Sequence, residues 1–119
     1  MNIQDRIVAA IKSEPVIARH IYQHHWISGS STVVYPITLW AHNVCIQIDT
    51  KRDYFQKAIE RVLNKNKDLF CDGWFCKNDS SCPAEISFRY APDVDDEINH
   101  REHKGNEATE ELVNEIFNN

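Results

Sequence analysis

The side chains able to do chemistry in this 119-residue chain fall into a few small groups. His20 and His24 stand four apart in a segment predicted to be helical, a spacing that would turn both imidazoles toward one zinc ion. A helical zinc hydrolase motif carries Glu directly after its first His, whereas Ile21 follows here and no third ligand is marked. The plainer expectation is a pair of half-buried, hydrogen-bonded imidazoles on the stripe of Val16 and Ile17. Cys71, Cys76 and Cys82 form the second group, and His42, His100 or His103 would complete a four-ligand zinc set. Four residues separate Cys71 from Cys76, the outer limit for paired zinc ligands, and Cys82 has no close downstream partner. Small thiols filling gaps beside a sheet explain them more simply, and Cys76 and Cys82, flanking a turn, could also pair oxidatively. No cofactor is expected, zinc being the one metal these patterns would suit.

Carboxylates Asp93, Asp95, Asp96 and Glu97 make a third group. They do not form a calcium loop of the EF-hand type: counted from Asp93, Ile98 stands where the glycine is needed and Lys104 where the closing Glu belongs. A solvated acidic segment is expected instead. No Gly-x-Ser-x-Gly turn surrounds Ser28, Ser30 or Ser31, no glycine-rich phosphate loop exists, and nothing pairs a catalytic Cys with a His base. Two N-terminal helices before Ser31 and Thr32 faintly resemble a helix-turn-helix, but His20 to Thr50 contains no Lys or Arg and Pro36 would break a recognition helix. Nucleic acid is therefore not the expected partner.

The elements that must position these groups follow from periodicity. Ile3, Ile7, Val8 and Ile11 predict a first helix over Asn2 to Lys12. Ser13 as N-cap and Pro15 in the first turn predict a second, running to about His25. Thr32 to Trp40 and Val44 to Ile48 read as a hairpin, its first strand at an edge or bulged because Pro36 cannot donate to a ladder. Thr50 is expected to cap a helix with an apolar stripe of Tyr54, Phe55, Ala58, Ile59, Val62 and Leu63, leaving Lys57, Arg61 and Lys65 solvated. Leu69 to Lys77 and Ile86 to Tyr90 read as a second hairpin, with a bulge expected at Gly73. An acidic connection over 93–105 precedes a last helix carrying Ala108, Leu112, Val113, Ile116 and Phe117. The expected architecture is α+β in the order ααββαββα. It has one antiparallel sheet of about four strands, built from two hairpins, with helices on one face, in a single domain over 1–119.

Composition narrows the function. Hydrophobic residues make up 42% and charged residues 26%, ordinary for a globular chain, and no run is long enough to span a membrane. Met1 to Lys12 lacks the basic start and apolar run of a signal peptide, so a cytoplasmic setting with reduced cysteines is expected. The net charge of −5 is lopsided: residues 93–119 carry −7 and the remainder +2. By strand alternation Trp40 points away from the face of Ile37 and Leu39, which makes it the expected exposed anchor. The leading expectation is a non-enzymatic protein-binding module, of the immunity or inhibitor kind, acting on a basic partner through Asp93, Asp95, Asp96, Glu97 and Trp40. The alternatives are a small zinc or thiol enzyme using the His and Cys groups, and a homo-oligomeric small-molecule binder, such as a homodimer, whose exposed aromatic sheet face makes a dimer interface or lines a pocket.

Overall fold

The computed structural model describes residues 2–23, 26–27, 33–77 and 84–100. Helix α1 spans Ile3–Lys12, and its N-cap Asn2 accepts the Asp5 amide at 2.8 Å. Such a cap stabilises a helix by about 1 kcal/mol. Ile3, Ile7, Val8 and Ile11 turn inward as their spacing requires. Helix α2 spans Pro15–His20 and is shorter than expected. Its cap is Glu14 rather than Ser13, because only two residues separate the helices and Ser13 closes the first by donating to the Ala10 carbonyl at 2.8 Å. The Glu14 carboxylate accepts the amides of Val16 (2.7 Å) and Ile17 (3.2 Å). It also accepts Arg61 Nε at 2.7 Å. Arg61 is therefore not simply a solvated charge: it ties the α1–α2 corner to the helix that carries it.

After His20 the chain turns extended. Ile21 has φ −61° and ψ 129° and forms an isolated antiparallel bridge to Ile48. The helical spacing that would have joined His20 to His24 thus ends at His20. His24 itself lies outside the described residues. The stretch expected to be one strand, Thr32 to Trp40, is divided. β2 (Val33–Val34) pairs with β1 (Trp26–Ile27) in a separate ladder, while β3 (Ile37–Leu39) joins the main sheet. Pro36 stands at the break, where its missing N–H removes a rung. Its carbonyl still accepts Gln47 N at 2.7 Å.

The main sheet is antiparallel, with strand order β3-β4-β6-β5, where β4 is Asn43–Ile48, β5 Phe70–Cys76 and β6 Ala84–Tyr90. Both predicted hairpins are present, and Pro36 precedes an edge strand. Ile37, Ile46 and Ile86 align across the sheet, as do Leu39, Val44 and Phe88. These side chains form one core with the helices. The opposite face, with Thr38, Cys45, Gln47 and Ser87, is also buried but is polar or small. The bulge lies between Phe70 and Asp72 rather than at Gly73. Gly73 has another role: it allows β5 to approach the rings and methyls beneath it, because a Cβ there would fall 2.8 Å from Phe88 and 2.9 Å from Ile59.

Helix α3 spans Gln56–Lys65 and buries Ala58, Ile59 and Val62. It starts later than Thr50 suggested. Phe55 occupies the N-cap position without a side-chain cap, and Thr50 Oγ1 instead accepts the Arg52 amide at 3.3 Å. Tyr54 consequently leaves the apolar stripe and is 48% exposed. The acidic segment expected to be a connection begins with helix α4, Pro92–His100. Proline suits a first helical turn, and Val94 and Ile98, four apart, bury against the core. The helix expected over residues 108–117 lies outside the described residues. No described helix is long and apolar enough to cross a membrane.

Candidate functional site

The turn after β3 and helix α4 meet at one end of the sheet. Trp40 N donates to Asn43 O at 2.9 Å, closing the turn, and Asn99 Nδ2 donates to Ala41 O at 3.0 Å from α4. His42 Nδ1 lies 3.0 Å from Asp95 Oδ1. The expected anchor and the expected acidic group, more than fifty residues apart in sequence, are therefore neighbours. Asp93, Asp96 and Glu97 are exposed on α4, and Asp95 is half-buried against His42.

Trp40 is 47% exposed yet tightly held. Tyr90 Oη donates to its carbonyl at 3.0 Å, and its amide closes the turn. Burial pushes the Cys45 thiol up from its ordinary pKa, and the nearby Glu85 charge adds to this. Hydrogen bonds from Ser87, Asn43 and Trp40 oppose the rise without cancelling it. Cys45 is consequently a thiol, useful as a packing and hydrogen-bonding group rather than as a nucleophile. Burial likewise raises the Tyr90 phenol far above its usual range, with Cys45 and Asp95 adding to the effect, so its hydroxyl is a fixed donor to Trp40.

An open groove of about 490 Å³ runs beside this face, lined by His42, Cys71, Arg89, Tyr90, Pro92 and Asp95. It places an exposed thiol near an Asp–His pair, which no spacing in the sequence could reveal. The Cys71 thiol donates to the Tyr90 carbonyl at 3.4 Å. Arg89 lies over the ring of Trp74, 5.7 Å from its centre. Trp74 is thereby placed on the polar face of the sheet, half-buried.

The remaining expected ligands do not assemble. Cys71 and Cys76 stand at opposite ends of β5, roughly 15 Å apart at the rise of an extended strand, so one zinc ion cannot hold both. Cys45, Cys71 and Cys76 are free thiols, and Cys82 lies outside the described residues. Among the described residues no three His, Cys, Asp or Glu side chains converge as a metal site.

His20 instead has two close partners that sequence reading missed. Its Nδ1 lies 3.1 Å from Asp49 Oδ1, and its Nε2 lies 2.5 Å from Tyr54 Oη. These residues are separated by 29 and 34 positions, and only the fold brings them together. No family model, curated protein or solved structure matches this chain, so its functional reading rests on its own residues.

Proposed function

We propose that this chain is a protein-binding module that docks a basic partner, in the manner of an inhibitor or immunity protein, through Trp40 and the acidic face of α4. The observation that carries the reading is an exposed tryptophan, held at its amide and its carbonyl, in a turn whose next two residues contact the carboxylate-rich α4. Interface energy concentrates in a few aromatic anchors, and an anchor already fixed in place loses little freedom on binding. Exposed Asp93, Asp96 and Glu97 add a negative field that accelerates encounter with a cationic surface.

The test is to copurify the partner with tagged protein at low salt, then measure rate constants for wild type, W40A and the reversal D93K/D96K/E97K. W40A is expected to raise Kd by roughly thirtyfold or more, mainly through faster dissociation, as for a central aromatic anchor. The charge reversal is expected to slow association at least about tenfold in low salt, with the difference shrinking as the Debye length falls below about 8 Å. Unchanged binding by both variants would refute the reading.

A further inference from the structure

Asp49, His20 and Tyr54 form a hydrogen-bonded chain that the docking face does not use. Several features fix its geometry. The Asp49 amide donates to the His20 carbonyl at 2.9 Å, and Tyr22 N donates to Gln47 O at 2.8 Å, so the segment leaving α2 is strapped to the end of β4. The imidazole stands edge-on to Tyr54 and to Phe55, with ring centres 5.7 Å apart in each case. Tyr54 stacks on Phe55 at 4.9 Å and 18°, and Phe55 is fully buried. The orientation of His20 is therefore determined by packing as well as by its hydrogen bonds.

The protons follow from the partners. An Asp carboxylate only accepts, so His20 Nδ1 carries the hydrogen directed at Asp49. Neutral imidazole then has its lone pair on Nε2, and the Tyr54 hydroxyl donates to it. Carboxylate, imidazole and hydroxyl in that order are the arrangement by which a hydroxyl is made nucleophilic at neutral pH. Here the hydroxyl belongs to a tyrosine that is 48% exposed, so an electrophile can reach it.

We infer that Tyr54 is an activated nucleophile and the acceptor of acyl groups from activated esters. The Tyr54 oxygen attacks the acyl carbon, and a C–O bond forms as the bond to the leaving alkoxide or phenolate breaks. The phenolic proton passes to His20 Nε2 and from there to the departing oxygen. Asp49 stabilises the transient imidazolium. The products are an O-acyl tyrosine and a free alcohol or phenol, with no oxidant or reductant required.

The probe is p-nitrophenyl acetate, with release of nitrophenolate followed optically and the acetylated residue located by peptide mass mapping. Acetylation of Tyr54 is expected at least about a hundredfold faster than that of N-acetyltyrosine amide, the lower end for a positioned general base. H20Q is expected to remove that advantage. D49N, which keeps the imidazole but not the carboxylate, is expected to reduce it and to serve as the reporter if H20Q does not fold. Y54F is expected to abolish the label at this position. Acetylation of Tyr54 no faster than the free amide, or at the same rate in D49N as in wild type, would overturn the inference.

Discussion

Replacing Gly73 with alanine tests how closely the sheet and α3 are fitted. The added Cβ would fall 2.8 Å and 2.9 Å from two ring carbons of Phe88 and 2.9 Å from Ile59 Cγ2, whereas comfortable carbon contacts begin near 3.5 Å. Neither neighbour can easily withdraw. Phe88 and Ile59 are essentially fully buried, and Phe88 is stacked on Phe70 with ring centres 5.0 Å apart. Overpacking of this kind costs about 1–3 kcal/mol. Against it stands a gain of about 0.4–1 kcal/mol, because alanine has less freedom than glycine to lose on folding. At the middle of both ranges the clash wins, and G73A is expected to be destabilised by roughly 1.3 kcal/mol, the difference between their midpoints. Urea unfolding followed by tryptophan fluorescence measures this directly. The mechanism has its own signature: F88L should relieve part of the clash, so a double-mutant cycle should show coupling of at least about 0.5 kcal/mol. A G73A protein as stable as wild type, or strict additivity with F88L, would refute the close-approach argument.

Two pH effects also follow. Burial alone would raise the Glu14 carboxyl, but the Arg61 hydrogen bond, the amides of Ile17 and Val16 and the Arg61 charge together hold it below the ordinary carboxylate value. Its folded pKa is thus depressed, so the carboxylate contributes stability above about pH 4.5 that is lost as pH falls through the lower folded value. E14Q is expected to cost about 1 kcal/mol at pH 7, since Arg61 is partly exposed and its attraction is screened, and the difference from wild type in urea melts is expected to narrow progressively as pH falls below about 4.5. Tyr90 has the opposite sign: burial raises its folded pKa, so its contribution is complete below about pH 10, the ordinary phenol value, and is lost as pH rises further. Absorbance titration near 295 nm should therefore show one of the four tyrosines ionising only with unfolding, and Y90F should remove that step.

Hydropathy pattern alone was enough to determine the α+β class, both hairpins, the inward stripes of α1 and α3 and the exposure of Trp40. Each depends on residues within a few positions of one another: Ile3, Ile7 and Ile11 on one helical face, or Val44, Ile46 and Ile48 on one face of a strand. The concentration of charge in Asp93, Asp95, Asp96 and Glu97 was equally legible, although α4 was not, because its two buried residues, Val94 and Ile98, are too few to announce a helix among acids. Element boundaries moved where a distant partner competed with local preference. Ile21 left its helix to bridge Ile48, and Glu14 displaced Ser13 as a cap while pairing with Arg61 from α3. Only the tertiary structure decided which functional groups meet. His20 meets Asp49 and Tyr54, and His42 meets Asp95. The physical reason is that periodicity encodes which face a residue presents, whereas a site built from residues thirty to sixty positions apart depends on how those faces pack against one another.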